Sequence, residues 1–416
     1  MRKKLFQKLV ATSLAFGVLL AAALPAAALY DLPVEPYGED ESILLMNMDT
    51  GEVILDQGAD TIRYVASTTK MMTALLLIES GYDLNTVVTV STDLTAEFAL
   101  IQVENGADMD LKIGEEITMR ELLYGLLLRS ANDAASVIAY ELAGDIDTFV
   151  SQMNARATAL GCTKTNFTCP HGLYDTGNAS TANDLALIAA ACAAEPLYME
   201  VANTLTYTIA ANNMHSSERE VTSTNFMIDP ESDYYREYIN GMKTGFTTLA
   251  GRCFVTTATQ DGEEYLLVVL NSIQNDIYQE CADILDWAFA NFDTYEFLSE
   301  DEALGEVLLL KSYDAEVIVA TAEHSVSGFA NLADDIIYTV DLIEEIEAPV
   351  AVGDYLGSVS VYREGVLIET VDILSPADYA NSTAVDVKNT LTMLPFLLAF
   401  VFLLAVATRI ASKLKK

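Results

Sequence analysis

The stretch Ala66-Ser67-Thr68-Thr69-Lys70-Met71-Met72 sets a serine and a lysine three residues apart at the point where a helical pattern begins. Side chains three apart on a helix share a face, so a helix opened by Ser67 holds its hydroxyl one turn from the Lys70 amine. A serine hydroxyl is a weak nucleophile until an adjacent base takes its proton. The pair is a candidate nucleophile and base, yet Ser412 and Lys415 repeat the spacing, so the surroundings must choose between them. Residues 71–79 are apolar nearly all round, which predicts a helix buried inside a domain and stopped by Gly81.

Upstream of this helix, the apolar runs 43–46 and 53–55 flank Asp49-Thr50-Gly51 and predict a hairpin. Downstream, Ile117, Leu122, Leu123, Leu126 and Leu127 predict an amphipathic helix over 117–128, with another helix over 134–142. Thr181 and Asp184 have the spacing of a capping box before Leu185, Leu187 and Ile188. This central block reads as all-helical. From about residue 240 the pattern changes: the stretch 238–245, which carries Lys243-Thr244-Gly245, leads through a loop into a strand over 253–258. Asp261-Gly262 then turns the chain into a strand over 265–270, and a closing helix carries Ile277, Ile284, Leu285 and Phe289. A hairpin, a helical insert, more strands and a last helix predict an α+β fold in which helices cover a mixed sheet. Between 296 and 378 the segments are short, β-branched and punctuated by Gly, Asp and Pro, predicting a separate small β-rich domain.

The two ends of the chain speak of export. Arg2, Lys3, Lys4 and Lys8 precede an apolar run over 9–24, and Ala26-Ala27-Ala28 supplies small residues for cleavage, so residues 1–28 are expected to be a signal peptide. After a linker at 379–388, residues 389–408 carry no charge and are followed by Arg409, Lys413, Lys415 and Lys416. That length predicts a transmembrane helix, and the cations behind it predict a cytoplasmic tail at 409–416 with everything earlier outside the cell membrane. Ser412 and Lys415 fall in this tail and drop out as a candidate pair. The net charge of −39 argues against nucleic acid as a partner of the folded part. With three histidines and no Cys-x-x-Cys spacing, neither a metal site nor another cofactor is expected. Five cysteines cannot all pair internally; Cys162 and Cys169 are near enough in sequence to bridge or to remain as buried thiols.

Three elements then fall in order: Ser67-x-x-Lys70, Ser130-Ala131-Asn132, and Lys243-Thr244-Gly245, of which the last occurs once. The middle one is weak alone, because Ser223-Thr224-Asn225 has the same form. Together they resemble the penicillin-recognising serine enzymes. The flanks (residues 66–75, 126–135 and 240–247, with Pro170-His171-Gly172-Leu173 and Ala250-Gly251) resemble the low-molecular-mass D-alanyl-D-alanine carboxypeptidases. Ala348-Pro349-Val350 with Gly353, Asp354 and Gly357 is similar to that family's trailing β domain. The chain departs from the family at Val65, Ala131 and Cys169, where proline, glycine and asparagine are usual; none of these changes removes a group the chemistry needs.

The resemblance implies a penicillin-binding catalytic domain over 38–294 that removes the last D-alanine from peptidoglycan pentapeptides and takes β-lactam antibiotics as covalent inhibitors. It implies Ser67 as nucleophile, Lys70 as general base, Ser130 as proton relay and Asn132 on the substrate's side amide. Lys243 and Thr244 would hold the terminal carboxylate. Gly245 would let the substrate strand lie close, and the backbone N–H groups of Ser67 and Phe246 would form the oxyanion hole. Lys70 acts as a base only when neutral, which requires burial and a nearby cation, and Lys243 is the candidate. His171 reads as structural. Two other readings share the motifs: a class A β-lactamase, against which residues 160–180 hold no glutamate, and a silent wall-binding protein.

Overall fold

The computed structural model describes residues 30, 40–173, 176–272, 276–382 and 390–403. The expected signal peptide and basic tail lie outside the described residues, as does most of the linker. The chain divides into two compact units, Met1–Ala290 and Asn291–Lys416.

The first unit runs β1 (Ser42–Asn47), β2 (Val53–Gln57), β3 (Arg63–Tyr64), a 3-10 turn (Ala66–Thr69), α1 (Lys70–Glu79), β4 (Val87–Thr89), α2 (Thr95–Val103), β5 (Glu116–Thr118) and α3 (Met119–Leu127). It continues through α4 (Asn132–Ala143), α5 (Ile146–Ala159), β6 (Ala179–Ser180), α6 (Ala182–Ala193), α7 (Pro196–Ala202), β7 (Thr206–Ile209) and β8 (Arg219–Thr222). It closes with β9 (Ile239–Thr247), β10 (Gly251–Gln260), β11 (Glu263–Ser272) and α8 (Ile277–Asn291).

Its main sheet has the order β2-β1-β11-β10-β9. Every pairing in it is antiparallel, which corrects the expected mixed sheet. Tight turns join β1 to β2, β9 to β10 and β10 to β11, and a hairpin can only make antiparallel neighbours. Asp261 and Gly262, both with positive φ, make the last of these turns. The sheet is covered on both faces. Leu266, Val268, Leu270 and Val255 belong to one core with α1 and α6, while Phe254 and Tyr265 on the other face meet Tyr278 and Phe289 of α8. Burial on both sides explains why β11 is an unbroken apolar run rather than an alternating one.

The helical block fills the long crossover between β2 and β9, and α1 lies in its middle with Met71, Met72, Ala74, Leu75 and Leu77 fully buried. The block is not all-helical: the two-stranded ladders β4-β5, β3-β6 and β7-β8 tie its loops together. The helix expected over 117–128 starts two residues later. The Thr118 hydroxyl accepts the Glu121 N–H while the Glu121 carboxylate accepts the Thr118 N–H, a closed capping box that leaves Ile117 in β5. At α6 the Thr181 hydroxyl accepts the Asp184 N–H.

The second unit contains β12 (Phe292–Leu298), β13 (Gly305–Leu310), β14 (Val317–Ala320), β15 (Val326–Asn331), β16 (Ile336–Leu342), β17 (Glu345–Glu347), β18 (Tyr355–Arg363) and β19 (Val366–Leu374). They form three small sheets, β12-β15, β14-β13-β17 and β16-β18-β19. Val307, Ile318, Leu356, Val359, Val361, Val371 and Ile373 make a core of their own. Among the described residues no single helix is long and apolar enough to cross a membrane; Thr390–Leu403 forms a shorter apolar helix. All five cysteines are free, so Cys162 and Cys169 are not bridged.

Candidate active site

Ser67 lies in the 3-10 turn and Lys70 is the first residue of α1. A 3-10 turn has three residues per turn, so positions i and i+3 eclipse, a tighter juxtaposition than a helical turn gives. Lys70 Nζ stands 2.9 Å from Ser67 Oγ. The same amine is 2.7 Å from Asn132 Oδ1 and 2.8 Å from the carbonyl oxygen of His171. Both of these oxygens can only accept, and together they take two N–H bonds. A neutral amine has two hydrogens, so its lone pair is left for the Ser67 hydroxyl.

The surroundings favour that neutral form. Lys70 is wholly buried; burial and then the charge of Lys243 push its pKa well below the ordinary lysine value. Cys169 and Asp133 pull the other way with smaller effect. Lys243 is buried too, which brings it down to about 7, and its Nζ donates to the Thr244 carbonyl at 2.9 Å.

The Ser67 turn is wedged between two glycines. A Cβ on Gly172, whose φ is +74°, would sit 1.9 Å from the Ala66 carbonyl oxygen. A Cβ on Gly245 would meet the Ser67 nitrogen at 3.0 Å, so β9 runs against the nucleophile's own backbone. Ala66 and Ser130 take φ of 46° and 61°. Such left-handed conformations cost a residue with a Cβ roughly 1–3 kcal/mol and persist where packing over-determines them, as at catalytic sites.

Ser67, Ser130, Asn132, Thr244, Gly245 and Phe246 all line one cleft of about 1120 Å³. Lys70 and Lys243 are buried beneath these walls. Lys243-Thr244-Gly245 belongs to β9, its residues pairing with Val255, Phe254 and Cys253 of β10. β9 is the last strand of its sheet, and its residues Thr244, Gly245, Phe246 and Thr247 line the cleft. The Phe246 ring is exposed at the rim, with the Arg252 guanidinium 5.4 Å from its centroid.

A family profile described as D-alanyl-D-alanine carboxypeptidase matches residues 33–274, more than half of the chain. The chain belongs to this family of serine peptidases. The carboxypeptidase DacF of Bacillus subtilis is 27% identical over 345 residues, 82% of this chain and 86% of that protein. Penicillin binding protein 5 of Haemophilus influenzae shares the fold at a TM-score of 0.59 and 23% identity, over 85% of this chain and 100% of that one. A Streptomyces DD-transpeptidase superposes at a TM-score of 0.57 with 28% identity, over 63% of this carboxypeptidase-family chain and 100% of its own.

Sequence reading missed several residues in and beneath the carboxypeptidase cleft. His171 enters through its backbone carbonyl, a role that no side-chain motif signals. Ser223 and Thr224, which read as a chance repeat of the second motif, line the same cleft, and Thr224 Oγ1 lies 2.6 Å from Thr244 Oγ1. Tyr278 closes the wall by donating its hydroxyl to the Thr224 carbonyl at 2.8 Å. Arg252, beside Phe246, adds a half-buried cation to the cleft wall.

Proposed function

We propose that this protein trims the terminal D-alanine from peptidoglycan pentapeptides through an acyl-enzyme on Ser67, and that β-lactams acylate the same hydroxyl. The observation that carries the reading is the Lys70 amine, held by two acceptor oxygens with its remaining valence 2.9 Å from Ser67 Oγ. Lys70 takes the hydroxyl proton as Ser67 attacks the carbonyl carbon of the scissile bond. The N–H groups of Ser67 and Phe246 stabilise the oxyanion, an arrangement worth about 3–4 kcal/mol per donor where it has been dissected. Ser130 passes the proton to the leaving D-alanine nitrogen. With Asn132 Oδ1 committed to Lys70, its amide NH2 is the group left for the substrate's side amide. Thr244 offers its hydroxyl to the terminal carboxylate while Lys243 supplies positive potential from below. The substrate backbone lies along β9 as an added strand, and water then hydrolyses the ester by the same proton route.

Fluorescent penicillin should label the full chain covalently, and Ser67→Ala should abolish the label. A pentapeptide ending in D-Ala-D-Ala should lose one D-alanine. Labelling that survives in the variant would remove Ser67 as nucleophile, and a folded protein that releases no D-alanine would favour a silent wall-binding role.

We also propose that residues 389–408 anchor the protein in the cell membrane with the catalytic unit outside. The uncharged composition and the apolar Thr390–Leu403 helix support this. Alkaline carbonate extraction of membranes checks it: an anchored protein stays in the pellet, and one ending at residue 388 is released.

A further inference from the structure

Behind Lys70 a second row of side chains has no part in the chemistry above. Glu97, on α2, has Oε1 2.8 Å from His171 Nε2. The other ring nitrogen, Nδ1, accepts the Leu173 N–H at 3.1 Å, which leaves the hydrogen on Nε2 and makes Glu97 the acceptor. The His171 ring is thus fixed at both nitrogens, and the side chain is almost fully buried. The neighbouring backbone is held as well: Thr73 Oγ1 donates to the Pro170 carbonyl at 2.6 Å and the Gly172 N–H donates to Cys169 Sγ at 3.2 Å. Ser136 Oγ lies 3.4 Å from Glu97 Oε1 and 3.1 Å from the Asn132 carbonyl oxygen. Glu97 therefore stands beside both segments that grip the lysine amine, the His171 loop and the first turn of α4.

We propose that Glu97 is a positioning residue: by anchoring the His171 ring it keeps the His171 carbonyl on Lys70 Nζ, and so keeps the amine's lone pair aimed at Ser67. The proposal rests on Lys70 being the base. The loop is irregular backbone, so its carbonyl direction is set by what holds the residue rather than by a ladder of hydrogen bonds. Without the Glu97 acceptor the ring loses its outer anchor, and the 171–172 peptide is left to the weaker hold of the Gly172 N–H on Cys169 Sγ, from which it can tilt. Lys70 then keeps a single fixed acceptor at Asn132, and an N–H can rotate toward Ser67 Oγ in place of the lone pair. Neither Glu97 nor His171 is among the residues lining the cleft, so ligand binding is untouched while the chemical step slows.

The test measures acylation of the full chain by a chromogenic cephalosporin under saturation, which separates the non-covalent Kd from the acylation rate constant. Glu97→Ala is expected to slow acylation about ten-fold or more with Kd unchanged, in line with the cost of a misplaced catalytic group. Glu97→Gln still offers an acceptor oxygen to His171 Nε2 and is expected to recover to within about three-fold of the parent on the same argument. A parent-like rate in Glu97→Ala overturns the proposal. So does an equal loss in Ala and Gln variants that tracks their melting temperatures, because that is a packing effect. Failure of the parent to acylate at Ser67 would instead overturn the reading of the site itself.

Discussion

At the scale of single residues the site turns on two lysines and their protons. Lys70 must be neutral to act, so acylation is expected to rise with pH through the Lys70 pKa, which burial and Lys243 set well below 10.5. Replacing the cation by Lys243→Met removes the second of these causes, and the rising limb of the acylation–pH profile should move to higher pH. Lys243→Arg keeps the charge and should move it less. Stability responds to Lys243→Met in the opposite direction. The folded state holds Lys243 at about 7 against 10.5 unfolded, so below pH 7 the folded protein bears the cost of a buried ammonium, and the penalty fades as pH rises toward 10.5. Lys243→Met is therefore expected to raise the melting temperature at pH 6 while impairing acylation at that pH. A calorimetric scan beside the kinetic profile checks both.

At the scale of elements the nucleophile depends on how the 3-10 turn is clamped. Gly172→Ala puts a methyl group where the Ala66 carbonyl oxygen already is and forces a Cβ onto a φ of +74°. The expected outcome is loss of most penicillin labelling together with a lower melting temperature, read by gel fluorescence and thermal melts. Thr118→Ala is the matching control, because it opens the capping box of α3 on a helix end outside the cleft walls. It should cost about 1 kcal/mol of stability in a denaturant titration and leave the labelling rate unchanged. Most elements were legible from local pattern: the buried helix after Ser67, the hairpin turn at Asp261-Gly262, and the cap at Thr181. The misreadings have physical causes. Lys243-Thr244-Gly245 reads as no regular element because glycines and polar residues interrupt it, and pairing with β10 makes it a strand. The short ladders of the helical block have only two to four residues per strand, too few for a period of two to stand out.

At the scale of the whole molecule the acidic composition reaches into the interior. Glu280 of α8 is buried close to Glu41, at the entry to β1, and to Ser272 at the end of β11. Burial first, and then the charge of Glu41, raise Glu280 to about 8. Its unfolded value is 4.5, so the stability this group contributes is full below pH 4.5 and is lost as pH climbs through about 8. Glu280→Gln should flatten that part of the stability profile and leave the variant more stable than the parent at pH 8.5, as thermal melts across pH 5–9 would show. A net charge of −39 adds self-repulsion, which salt screens.

The sequence by itself determined which chemistry the chain carries. A serine and lysine three apart, a Ser-Ala-Asn and a single Lys-Thr-Gly, in that order, restrict the fold and reaction because each group is needed at its own step. Local spacing also set the Ser67–Lys70 contact, since three residues of chain can close only one way in a tight turn. Tertiary structure alone decided whether that contact is productive. The Lys70 amine faces Ser67 because Asn132 and the His171 carbonyl, 62 and 101 residues away along the chain, claim its two hydrogens, and because packing excludes the water that would keep it charged. Long-range hydrogen bonds to backbone atoms leave no mark in side-chain identity, which is why His171 was legible as a residue and not as a participant.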